Sequence, residues 1–124
     1  MAMSDSRDIE NINYILAYCK RIEEHLNRFG NRYNDFVSNY VYRDAISMCE
    51  LQIGEHSIRL SDEFKGKNKE IPWAEIHGMR IILAHHYYKS KPQKIWLTAT
   101  VDVPELRKFC ENILSEDPDL KQGD

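Results

Sequence analysis

Glycine and proline are scarce in this sequence, at 5 and 4 of 124 residues. A shortage of turn formers, with 42% hydrophobic and 30% charged residues, excludes a disordered chain and argues against an all-β one; it predicts a helical protein. Long apolar runs are also missing. None approaches the roughly 20 residues that a membrane helix needs, so no membrane association is expected. Residues 1–10 are polar and lack the apolar core of a secretion signal. Cysteine is sparse and odd in number: Cys19, Cys49 and Cys110 form no CxxC pair, which excludes a paired disulfide framework. Each lies among apolar neighbours at helical spacing and reads as a buried free thiol. These absences together predict a cytoplasmic location. The length predicts one domain over residues 1–124, with an ordered core from about 5 to 115 and a polar tail at 116–124. It is also short enough for dimerisation to help stability.

What is present is helical periodicity. Ile9, Ile12, Leu16, Cys19, Ile22, Leu26 and Phe29 predict a helix over residues 5–28, stopped by Gly30. Val37, Val41, Ala45, Cys49, Ile53, Leu60 and Phe64 predict one long helix over 34–64, with Gln52 and His56 filling interior-facing gaps. Gly54 within it costs about 1 kcal/mol relative to alanine, and close approach of another helix is one reason to keep it. Residues 65–70 read as a charged loop. Pro72 opens a third helix, with Trp73, Ile76, Met79 and Leu83 on its apolar side, fading near Tyr88 before Pro92. Residues 93–100 favour no single element. Asp102 as N-cap and Glu105 three positions on predict a last helix carrying Leu106, Phe109, Cys110, Ile113 and Leu114. The fold class is all-α, a bundle of four main helices with short connections.

One further absence is local. Residues 76–101 contain no acidic side chain, yet hold Arg80, Lys89, Lys91 and Lys94, a formal +4; the chain as a whole is −3, which leaves −7 elsewhere. Such a field attracts a polyanion, and the lysines are candidate RNA contacts. Within the window, Arg80 is followed five positions later by His85 and seven later by Tyr87. Cleavage of RNA by its own 2′-hydroxyl needs a proton acceptor, a proton donor and positive charge at phosphorus. A histidine titrates near neutrality, and an arginine fork fits phosphate oxygens. Arg80 and His85 are therefore the candidate catalytic pair, with His86 as a possible auxiliary proton donor. At about 100° per residue, Arg80 and Tyr87 share one line of a helix, while His85 lies about 140° away. Either the helix ends near His85, or a second copy about a twofold axis completes the site.

Plainer readings exist for each residue. Arg80 could simply pair with Glu50 or Glu55. His85 or His86 could favour the negative end of a helix dipole. The lysines could be a solvated loop, Tyr87 a lid on the core, and Trp73 and Trp96 core or interface. His77, His85 and His86 fit no standard ligand spacing, so no metal or cofactor is expected.

The Arg80-x4-His85-x-Tyr87 pattern, with Gly78-Met79 directly before the arginine, resembles the HepT-like branch of the HEPN superfamily. Gln52-Ile53-Gly54-Glu55, Leu60-Ser61, Ile71-Pro72-Trp73, Ile95-Trp96 and Asp102-Val103-Pro104-Glu105-Leu106 are similar to that branch in order and spacing. The likeness covers roughly residues 9–114. It implies an antiparallel HEPN-like bundle of four to five helices, dimerising through the motif region. It also implies a metal-independent ribonuclease, the toxin of a type VII-like toxin–antitoxin pair. The implied partner is a minimal nucleotidyltransferase antitoxin that transfers AMP to the motif tyrosine, here Tyr87, with Tyr88 adjacent. One position departs: Ile81 stands where the family usually carries a polar residue. That departure leaves a second reading, a weak or inactive dimeric partner that binds RNA or the nucleotidyltransferase without cleaving.

Overall fold

The computed structural model describes residues 6–116, and among these there is helix and no strand. Helix α1 (Ser6–Phe29) buries Ile12, Ile15, Leu16, Cys19 and Ile22 on one stripe. Gly30 ends it at φ +115, a conformation that glycine adopts without a Cβ penalty.

The long helix expected over 34–64 is three helices: α2 (Tyr33–Val37), α3 (Tyr40–Ile58) and α4 (Asp62–Lys67). Two polar caps make the breaks. Asn39 is extended, and its side chain accepts from the Val41 and Tyr42 amides at 3.0 and 3.2 Å. Ser61 accepts from the Phe64 amide at 3.1 Å. Each cap satisfies amides that a helix start leaves unpaired, so starting anew is favourable. The first break changes the register. Val41, expected in the core, is 51% exposed, while Tyr42 and Ile46 are fully buried. Ala45 and Gln52 are only half-buried, whereas His56 is buried as expected. The loop expected at 65–70 begins later, because α4 runs to Lys67.

Helix α5 (Trp73–His85) begins as expected, with Pro72 as its N-cap; the Pro72 carbonyl accepts from the Ile76 amide at 3.1 Å. A 3₁₀ turn (Tyr87–Lys89) follows. Beyond it, α6 (Pro92–Leu97), a π turn (Thr98–Asp102) and α7 (Val103–Glu116) run on without a break. Asp102 is thus inside a helical path and is no N-cap. Pro104 explains both the misreading and the π turn. It has no N–H for the carbonyl four residues back, and its ring crowds that carbonyl; a wider turn directly before it relieves both. Ser115 and Glu116 are still helical, and the rest of the expected tail, like the expected start at Asp5, lies outside the described residues.

The main helices alternate in direction, giving the antiparallel all-α bundle. Helix α3 sits between α1 and α5, and α7 packs against α1. Opposite ends of α1 and α3 are pinned by polar bonds. Asp8 accepts from the Ser61 amide and hydroxyl, both at 2.7 Å, and the Tyr42 hydroxyl donates to the Gly30 carbonyl at 2.8 Å. Asn11 Oδ1 pairs with His56 Nδ1 at 2.9 Å, which gives that buried imidazole a structural task. Arg107 of α7 pairs with Glu23 of α1. Phe36, Tyr42 and Trp96 form an aromatic cluster, with centroids 5.2–6.3 Å apart. All three cysteines are free and buried, and burial pushes the Cys49 thiol up to about 11 and the Cys110 thiol up to about 12. As thiols they pack as small apolar groups.

Candidate active site

Three neighbouring features fix where Arg80 points. Trp73 anchors the start of α5: it is buried, and its indole N–H donates to the Asn68 carbonyl at 3.0 Å. Gly54 on α3 lets α5 come close, since a Cβ there would lie 2.5 Å from Arg80 Cβ. Glu55, one residue on, then accepts from Arg80 Nε at 2.9 Å. Sequence reasoning named this ion pair as the plain alternative to a catalytic role. The geometry leaves room for both. Only Nε is engaged, and the two terminal NH2 groups donate to no described residue. The planar fork that binds a phosphate bidentately is therefore held by its stem and unoccupied at its tip. Both side chains are a little over a quarter exposed, so water reaches the pair.

His85 is the last residue of α5 and is exposed. The helix does not turn before it, so the offset of about 140° from Arg80 stands. No hydrogen bond joins the two residues. Within one chain Arg80 leans on α3, while His85 faces outward beside Ile81 and Ile82, which are 47% and 39% exposed. His86 caps α5 with its amide on the Ile82 carbonyl at 2.8 Å, and its ring meets Tyr88 edge-on at 6.3 Å.

Tyr87 folds back onto α3. Its hydroxyl donates to Asp44 Oδ1 at 2.8 Å and lies 3.4 Å from Ser47 Oγ. Burial pushes its pKa up, the Ser47 bond pulls it down, and Asp44 pushes it up. The residue is 42% exposed, so the phenol is reachable from solvent. Asp44 and Ser47 were not foreseen from the sequence. They are polar positions on a helix distant in sequence, and no local signal tied them to the motif.

The three lysines part company. Lys89 and Lys91 are exposed near the motif, and the Lys89 ammonium lies 5.8 Å from the Tyr88 ring centre. Lys94 instead edges a cavity containing Glu50, Glu75 and Asp102. His77 lies three residues before Arg80 on α5: burial lowers its pKa, Lys65 adds to that, the Ser57 backbone raises it and Arg80 lowers it, and its Nε2 has no hydrogen-bond partner among the described residues. Among the described residues no three His, Cys, Asp or Glu side chains cluster at metal-binding distance. No described helix is long and apolar enough to cross a membrane.

A family model described as "Ribonuclease HepT-like" matches residues 15–113. A protein of Caldanaerobacter subterraneus subsp. tengcongensis named "Putative RNase" is 34% identical over 106 residues, 86% of this chain and 93% of that one. One of the same name from Methanocaldococcus jannaschii is 30% identical over 103 residues, covering 83% and 86% of the two chains. A "Probable ribonuclease HepT" of Thermococcus cleftensis is 32% identical over 81 residues, 65% and 74% of the two. No solved structure gives a significant match. The chain belongs to the HepT-like ribonuclease family of the HEPN superfamily.

Proposed function

We propose that this chain is an endoribonuclease toxin that cleaves RNA through 2′-hydroxyl attack, with Arg80 and His85 as its working pair. The Arg80 guanidinium carries the reading: Glu55 holds it at Nε, and its phosphate-binding edge is free. That edge binds the scissile phosphate and stabilises charge developing on its oxygens. His85 moves the proton, either from the 2′-hydroxyl or to the leaving 5′-oxygen. Because the two side chains leave α5 in different directions, the site is completed in a twofold dimer, where Arg80 of one copy meets His85 of the other. The exposed Ile81 and Ile82 beside His85 supply apolar surface for that contact. Lys89 and Lys91 guide the RNA strand by charge.

The proposed partner is a minimal nucleotidyltransferase antitoxin that transfers AMP to Tyr87. Tyr87 is 42% exposed and its hydroxyl already donates to Asp44, which accepts the proton as the phenol oxygen attacks the α-phosphorus of ATP and pyrophosphate leaves. The added phosphate lies on the motif, competes with RNA for Arg80, and offsets the local positive charge.

The test is cleavage of cellular RNA by the purified chain, without AMP or added metal. Arg80→Ala and His85→Ala should each abolish cleavage while circular dichroism stays unchanged. Wild-type protein that leaves RNA uncut supports the non-cleaving partner instead, a reading that Ile81 at the usually polar position favours. For Tyr87, mass spectrometry after co-expression with a cognate minimal nucleotidyltransferase should find AMP on its peptide, and no AMP, or AMP on another peptide, would remove the proposal.

A further inference from the structure

Glu50 takes no part in the chemistry above. It is 4% exposed on α3, and neither carboxylate oxygen has a hydrogen-bond partner among the described residues. Buried carboxylates are ordinarily paired, so an unpaired one needs a reason. Glu50 lines a cavity of about 130 Å³ between α3, α5 and the α6–α7 path. A single water centre needs on the order of 10–15 Å³, so this cavity holds a molecule of several heavy atoms. Its walls are apolar, with Ile53, Ile76, Met79 and Leu106 among them. Its mouth carries the exposed acids Glu70, Glu75, Asp102 and Glu105 against the single base Lys94. Met79 lies about 120° around α5 from His85, so the cavity opens away from that histidine, while Ile76 in its wall lies one turn before Arg80.

Those features select among ligands. Four exposed carboxylates facing one ammonium repel phosphate, so the cavity does not take RNA or a nucleotide. A hard metal ion wants several oxygen ligands at once, and among the described residues no three of these acids cluster closely enough to hold one. A charged nitrogen on a short hydrocarbon body satisfies both the carboxylate and the walls. We propose that this cavity binds a small organic cation, an aliphatic amine or guanidine, with its charged head on Glu50 and its methylene body against Ile76 and Met79.

Protonation follows the same geometry. Burial holds the Glu50 carboxyl well above the usual range, Asp102 pushes it higher, and Lys94 pulls it down. The groups facing it are Glu75 from α5, Lys94 from α6, Asp102 from the π turn, Glu105 from α7 and Glu70 from the preceding loop. Burial therefore favours the protonated form of Glu50 in the unligated protein. Binding of the cation breaks the Glu50 O–H bond and releases that proton to the buffer, leaving a carboxylate–ammonium pair.

The test is isothermal titration calorimetry of the full chain with putrescine and with agmatine, and with 1,4-butanediol as the uncharged control. No RNA is present, so the result is independent of cleavage. The expected result is saturable binding of an amine at one site per chain, with a heat that varies with the buffer's ionisation enthalpy. Glu50→Gln should weaken it about tenfold or more. The exposed pair of substitutions Glu75→Gln and Asp102→Asn, which leave the core untouched, should weaken it about two- to fivefold at low salt. Absence of saturable amine binding, equal binding of 1,4-butanediol, or wild-type affinity in Glu50→Gln would overturn the proposal. If Glu50→Gln does not fold, wild-type affinity in the Glu75/Asp102 double variant overturns it instead.

Discussion

Gly54 lies directly under Arg80: a Cβ on the glycine would sit 2.5 Å from the arginine's Cβ and 3.4 Å from the Ile76 carbonyl. The closeness of α3 and α5 is thus built on a missing side chain. Gly54→Ala removes the flexibility that makes glycine costly in a helix, yet forces the two helices apart. Overpacking should win, with a net loss of about 1–3 kcal/mol in urea denaturation and a fall in RNA cleavage. An alanine variant as stable as the wild type would show that α5 can move off α3 freely.

Glu55 holds Arg80 by one bond at Nε. Because both side chains are partly exposed, the pair contributes less than about 1 kcal/mol to folding. Its proposed worth is in aim. Glu55→Gln should leave the denaturation midpoint nearly unchanged while cutting kcat about tenfold, and should leave KM less affected. Equal losses in stability and activity would make Glu55 a structural residue only.

The buried Glu50 makes stability depend on pH. Its pKa in the fold is raised from the ordinary 4.5, so the folded state binds the proton more tightly than the unfolded chain does. The contribution is fully present below pH 4.5 and declines as pH rises towards the folded-state value, with a slope of at most about 1.4 kcal/mol per pH unit. Glu50→Gln should flatten that decline. Denaturation midpoints taken between pH 4.5 and neutrality check this, and identical slopes in both proteins would contradict it.

The fully buried Tyr42 ties α3 back to the end of α1 through its bond to the Gly30 carbonyl. Tyr42→Phe keeps the ring contacts with Phe36 and Trp96 and removes only that bond. A loss of about 1 kcal/mol is expected in urea denaturation, with cleavage unaffected.

The main helices were legible because their stripes are long. Gly30 and Pro72 marked their ends correctly, and Cys19, Cys49 and Cys110 are buried as their neighbours implied. The breaks at Asn39 and Ser61 were not legible, since apolar periodicity continues across them and a single capping side chain decides the matter. Pro104 misled in a different way. Proline two residues after Asp102 reads as a helix start, but the helical path from α6 through the π turn into α7 already runs through it and yields by widening one turn. The motif itself was visible, and so was Glu55 as a partner for Arg80. Asp44 and Ser47 under Tyr87, and the cavity around Glu50, arise only when helices distant in sequence are packed together.

The central claim is that Arg80 of one copy and His85 of another converge on one phosphodiester. The most direct measurement mixes two inactive proteins, Arg80→Ala and His85→Ala, after exchange of subunits. Half of the randomly formed dimers are mixed, and each holds one intact site of two, so cleavage should return to about a quarter of the wild-type rate. A mixture as inactive as either parent, despite demonstrated subunit exchange, would contradict the account.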